Sequence, residues 1–188
     1  MTSLDQLPVD SAGFRLRGLD TTRIETFTDA AFAFAMTLLV IAMDPTTTFE
    51  GLMDALRNIP TFVLSGTLLM MFWWGHHQWS RRYGLDDGPT LILSCLLVFT
   101  VLVYVYPLRF LFGTTTTWLS DITGLPLGPP EFPGLTLHQV NGTFAVYGLG
   151  FVAMCAALVL LHVHAWRRRE LLALDAFERF ETLSNAGS

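Results

Sequence analysis

The chain has 188 residues, of which 52% are hydrophobic and 14% charged, and a mean hydropathy of +0.47. Ordinary soluble domains carry roughly 25% charged residues, so this composition excludes a disordered chain and argues against a typical soluble domain. The net charge of -5 and pI of about 5.4 argue against nucleic acid as a partner, because a phosphate-binding surface needs the opposite sign.

Residues 1–22 are polar and broken by Pro8, Gly13 and Gly18. No apolar run follows a basic start, so the first membrane segment is expected to serve as its own insertion signal. Four apolar runs follow. Residues 27–43 stop at Asp44-Pro45, 59–79 at Arg81-Arg82, 90–112 at Gly113 and a threonine run, and 140–166 at Arg167-Arg168-Arg169. Each approaches the ~20 residues that cross ~30 Å of hydrocarbon. Trp73, Trp74, Trp79, Tyr104, Tyr106 and Trp166 lie near run ends, where amphipathic rings favour the interface. The expectation is an all-α, polytopic membrane bundle of about four transmembrane helices. Residues 113–138, with Thr114 to Thr117 and four prolines, read as a long outer loop. In 167–188, Leu171, Leu174, Phe177, Phe180 and Leu183 recur at near-helical spacing. That pattern reads as an amphipathic cytoplasmic tail, lying on the inner membrane surface or solvated.

Arginine sets the orientation, because the chain has no lysine. Nine arginines fall in the N-terminal segment, the second connection and the tail, against Arg57 and Arg109 in the other two connections. The positive-inside rule puts both termini in the cytoplasm. The two cysteines, Cys95 and Cys155, lie inside apolar runs and offer no disulfide framework.

The first run carries the most information. A carboxylate such as Asp29 costs roughly 2.5–3.5 kcal/mol to insert and must face a partner or water. On a helical wheel Phe27, Ala30, Phe34, Thr37, Leu38 and Ile41 form one stripe, while Thr28 and Asp29 point about 120–140° away. One face is thus an apolar seam with a single hydroxyl, and another offers polar groups to neighbouring helices. The second run ends Trp73-Trp74-Gly75-His76-His77, on the same side of the membrane as Asp29. His76 or His77 is expected to meet Asp29, with indole N–H donors at the same depth. Adjacent histidines diverge by about 100° on a helix, so a shared metal is not expected. No catalytic constellation and no cofactor-binding loop is present, and an enzyme is not the expectation.

Arg23…Phe27-Thr28-Asp29, followed by a small and apolar run, resembles the R-x-x-x-F-S/T-D signature of the transmembrane protein 175 family, the lysosomal potassium channel of animals and its bacterial relatives. The Trp73-Trp74-Gly75-His76-His77 end of the second run is also similar to that family, and Tyr104-Val105-Tyr106-Pro107 more loosely so. The resemblance covers roughly residues 20–112 and, more weakly, the fourth run. It implies a homotetramer whose first helices line a pore that passes potassium in preference to other monovalent cations. By position, Phe34, Leu38 and Ile41 would form the apolar constriction and Thr37 the selectivity hydroxyl. Arg23, Phe27, Thr28, Asp29, Trp74 and His77 would form a structural polar network. The resemblance implies potassium ions and the lipid bilayer as partners, with a bacterial cytoplasmic membrane as the expected location. Three departures stand out. Bacterial members usually have six spans, Phe34 replaces a leucine or isoleucine, and Ser94 aligns where an asparagine is usual. Two other readings stay open: a non-conducting assembly protein of the same fold, and a proton-coupled transporter using Asp29 and the histidines.

Overall fold

The computed structural model describes residues 7–41, 48–129 and 136–187, and among these it holds six helices. They are α1 (Arg23–Ile41), α2 (Phe49–Arg57), α3 (Ile59–Tyr83), α4 (Gly88–Thr123), α5 (Leu137–Arg167) and α6 (Ala176–Gly187). The only β pairing among the described residues is a single bridge between Val9 and Arg15. By length and composition α1, α4 and α5 can each cross a membrane. The α2–α3 pair, bent by 42°, supplies a fourth candidate span. The protein is therefore an all-helical integral membrane protein. The expected end of the first run, at Met43 and Asp44-Pro45, lies outside the described residues, as do 130–135 of the expected outer loop.

The threonine run does not end the third long helix. Helix α4 continues through it to Thr123 and runs 36 residues, about 54 Å at 1.5 Å per residue. The hydroxyls explain this. Thr114, Thr115, Thr116 and Thr117 each donate to the carbonyl four residues back, at 2.8–3.0 Å. Each hydroxyl is satisfied without leaving the helix, so polarity here does not signal a loop. The turn comes at Gly124, whose φ of 71° caps the helix in the left-handed region. Thr136 opens α5 with a reciprocal capping box to Gln139.

The core lies where α1, α3, α4 and α5 meet. Phe32, Ala35, Leu39, Leu69, Phe72, Leu97, Val101, Leu108, Met154 and Ala157 are all buried there. A second cluster sits at the arginine-rich end, with Phe14, Trp79, Tyr83, Leu161, Ala165, Leu172 and Leu174. The N-terminal segment joins it by crossing the end of α3 at very close range. A side chain on Gly18 would sit 2.5 Å from the Ser80 carbonyl, and Gly18 N–H donates to the Arg81 carbonyl at 3.0 Å. Only a residue without Cβ fits there.

The tail differs from the expected single helix. Residues 168–173 are turns, with Ala173 at φ 48°, and α6 starts only at Ala176. Leu174 turns inward to the second cluster, so it and Leu171 do not share a helical face with Phe177, Phe180 and Leu183. Glu178 binds this tail to the N-terminal segment. Arg15 donates Nε and Nη2 to it at 3.0 and 2.8 Å, and Arg17 donates Nη1 and Nη2 at 3.2 and 2.7 Å. Arg82 pairs with Asp10 and Glu181 at 2.8 Å each, and the Tyr83 hydroxyl meets Thr182 at 2.8 Å.

Candidate functional site

Helix α1 has two faces of opposite character. Glu25, Thr28, Phe32, Ala35 and Leu39 are buried against the rest of the chain. These positions recur at helical spacing, and the same geometry turns Phe27, Ala30, Phe34, Thr37 and Ile41 outward. Phe27 is 51% exposed, Phe34 55% and Ile41 67%. The chain folds fully and still leaves this apolar stripe uncovered. Leu38 stands at the edge of the stripe, half-buried, and packs on the core. Thr37 Oγ1 donates to the Ala33 carbonyl at 3.0 Å. With its proton held by the backbone, the hydroxyl presents its oxygen lone pairs outward as acceptors.

The inward face of α1 is tied to α3 by polar contacts. Trp73 Nε1 donates to Asp29 Oδ1 at 2.8 Å. His77 Nδ1 lies 3.4 Å from Glu25 Oε1, close enough for an ion pair but without hydrogen-bond alignment. The Trp73 and His77 rings stack at 5.3 Å between centroids and 19° between planes. In place of the expected contact of Asp29 with His76 or His77 there are two parallel ties, Asp29 to Trp73 and Glu25 to His77. Residues 73 and 77 stand one helical turn apart, as do 25 and 29, so the two ties stack along the α1–α3 seam. His76 points the other way and meets Ser94 Oγ on α4 at 3.0 Å. Thr28 donates to the Ile24 carbonyl at 2.9 Å.

Of the six residues expected in the network, Thr28, Asp29 and His77 lie inside. Arg23 and Phe27 sit on the exposed side of α1. Trp74 is 53% exposed and meets the network through its ring, 5.8 Å from that of His77 and 6.1 Å from that of Trp73. Sequence reasoning missed Glu25 and preferred Trp74 to Trp73. Glu25 was camouflaged by its position. Thr22 accepts the Glu25 N–H at 3.1 Å, so Thr22-x-x-Glu25 reads as a capping box. The carboxylate nevertheless turns to His77. Among the described residues no group of three or more His, Cys, Asp or Glu is placed to hold a metal.

At the arginine-rich end Asp87 caps α4, accepting from Thr90 N–H at 3.1 Å and Thr90 Oγ1 at 2.7 Å. The same carboxylate meets His164 Nε2 at 3.0 Å. Burial opposes its ionisation, but the Thr90 hydrogen bonds and His164 outweigh that and hold its pKa below the ordinary value.

Comparison with known proteins bears on this arrangement. Residues 23–105 match the family described as the endosomal/lysosomal potassium channel TMEM175. A curated potassium channel of Marivirga tractuosa is 36% identical over 178 residues, covering 92% of this chain and 70% of that protein. The solved structure of a point variant of the potassium channel MtTMEM175, in complex with a nanobody–MBP fusion, superposes with a TM-score of 0.88 at 33% identity. That match covers 95% of this chain and 78% of the other. The two-faced first helix thus lies within a stretch shared with potassium channels, and the chain belongs to the TMEM175 potassium channel family.

Proposed function

We propose that this chain assembles as a homo-oligomer, a tetramer by resemblance, and conducts potassium in preference to other monovalent cations through a pore lined by the outward stripe of α1. The observation that carries this reading is the contrast between the two faces of one helix. The inward face is packed and tied to α3 by the Asp29–Trp73 hydrogen bond and the Glu25–His77 contact. The outward face, with Phe27, Ala30, Phe34, Thr37 and Ile41, is left uncovered by a chain whose relatives are potassium channels.

The chemistry suits a pathway without a carbonyl filter. A ring of Phe34 and Ile41 side chains, flanked by Leu38, excludes water and gates by dewetting. A ring of Thr37 oxygens, their protons already donated, offers acceptors to a partly dehydrated cation. Arg23, Phe27 and Trp74, exposed near the Asp29 and Glu25 ties, are placed to meet a neighbouring copy. The arginine distribution puts both termini on the cytoplasmic side of a bacterial cytoplasmic membrane. A proton-coupled transporter would need polar groups along the stripe, and within it Thr37 supplies the hydroxyl among apolar residues. The bulk of Phe34 favours the non-conducting reading over the transporter, so flux must decide.

Purified protein in liposomes, loaded in turn with potassium, sodium and caesium, tests the proposal. Passive flux that is faster for potassium than for sodium supports it. Absence of flux from both the native protein and Phe34→Ala, with the oligomer intact, overturns it in favour of a structural role.

A further inference from the structure

Helix α6 is amphipathic in an inverted sense. Its polar side is the side the fold uses: Glu178 and Thr182 are buried, held by Arg15, Arg17 and Tyr83, and Glu181 is held by Arg82. This fixes the rotation of the helix about its axis. Phe177, Phe180 and Leu183 are left on the outside, with Phe180 72% exposed. The acidic residues of α6 face the protein, so the outward side carries apolar groups with Arg179 at its edge. Arg179 is exposed and holds the Leu174 carbonyl through Nε at 3.0 Å.

The position of this face along the chain says what covers it. Helix α5 is long and apolar enough to span a membrane, and Trp166 at its end lies under the Arg169 guanidinium at 5.0 Å. An indole capped by a cation at the end of a span marks the headgroup level. Arg167 and Arg168 are exposed at the same level, and Leu171 beyond them is 74% exposed. Only the short turn segment separates this level from α6. The outward face therefore combines bulky apolar groups with cationic flanks beside the membrane boundary. An anionic leaflet matches it in both respects.

We propose that the Phe177–Phe180–Leu183 face of α6 docks into the anionic headgroup region of the cytoplasmic leaflet, so that the tail clamps the N-terminal segment leading into α1 against the membrane surface. The cytoplasmic location rests on the orientation proposed above.

The test uses the full chain in liposomes of mixed anionic and neutral lipid. Cys95 and Cys155 are replaced by serine, and an environment-sensitive fluorophore is placed on Phe180→Cys, within the proposed docking face and apart from the Glu178 contacts with Arg15 and Arg17. Nitroxide-bearing lipids are expected to quench the probe strongly and aqueous iodide weakly. Lipid quenching should fall when anionic lipid is replaced by neutral lipid. It should also fall with Arg179→Gln and Arg167→Gln, about fivefold in partitioning for each arginine. Quenching by iodide and not by lipid overturns the proposal by placing the face in water. Quenching by neither also overturns it, by placing the face against protein, such as a second copy. Lipid quenching indifferent to anionic lipid overturns the charge recognition. A separate Glu170→Cys variant, labelled with an impermeant maleimide in intact and permeabilised cells, reports the side of the membrane. A failed orientation is thereby distinguished from a failed docking.

Discussion

Replacing Glu178 by glutamine should release the C-terminal helix from the N-terminal segment. The carboxylate is fully buried and accepts hydrogen bonds from both Arg15 and Arg17, as well as from the backbone N–H groups of Arg15 and Asp175. Burial disfavours the ionised form, but these donors outweigh it and push the pKa down to about 2, from an ordinary 4.5. At about 1.4 kcal/mol per pH unit, the difference corresponds to about 3 kcal/mol of docking stability near neutral pH. Because the folded pKa is the lower one, that stability is complete above 4.5. It is lost progressively as the pH falls through about 2. Glutamine keeps the shape but takes the carboxylate away from the largely buried Arg17 guanidinium and leaves Arg15 with the more exposed Asp175 at 3.3 Å, a loss of the same order. Amide hydrogen exchange across 176–185 reads the effect directly. Glu178→Gln should exchange about a hundredfold faster at pH 7. In the native protein, protection of this helix should weaken below pH 4.5. Equal exchange in the two proteins at pH 7 would refute the clamp.

Four further outcomes follow from the site. Phe34→Ala should raise basal flux in liposomes, and unchanged flux in folded, assembled protein removes Phe34 from the pathway. Thr37→Val should lower the potassium-to-sodium permeability ratio while sparing assembly; a constant ratio places selectivity elsewhere. Asp29→Asn should weaken the oligomer in size-exclusion chromatography more than it alters selectivity. Trp73→Phe should share that phenotype, since the two residues hold one charge-assisted bond worth about 1.5–3 kcal/mol. Asp87→Ala should cost about 1 kcal/mol through loss of the α4 cap, measured as a lower midpoint in thermal unfolding in detergent.

Much of this protein is legible in its sequence because the bilayer simplifies the code. Apolar length marks α1, α4 and α5 as candidate spans, and the helical period of residues 27–41 by itself separates the two faces of α1. The code fails where side-chain chemistry is absorbed locally. Thr114 to Thr117 look like a loop by composition, yet each hydroxyl bonds back to its own helix. Residues 49–57 form a separate helix, because Asn58 and Pro60 break the run and a 42° bend follows. Partner choice is the least legible level. Asp29 could meet Trp73, His76 or His77 by topology, and the rotation of α3 decides for Trp73. The tail's apolar spacing was visible, but not that Glu178 and Thr182 on its polar side would be the buried ones. That depends on Arg15 and Arg17, more than 150 residues earlier.

The central claim is that the exposed side of α1, and not its packed side, carries ions. Single cysteines introduced by Thr37→Cys and Ala35→Cys, with Cys95 and Cys155 replaced, put that claim to one measurement: block of potassium flux in liposomes by a small thiol-reactive cation. Positions 35 and 37 are two residues apart and point to opposite sides of the helix, one buried and one exposed. The account predicts that the reagent blocks flux through Thr37→Cys and leaves Ala35→Cys unaffected. Block at Ala35→Cys with none at Thr37→Cys would place the ion path inside the bundle and contradict it.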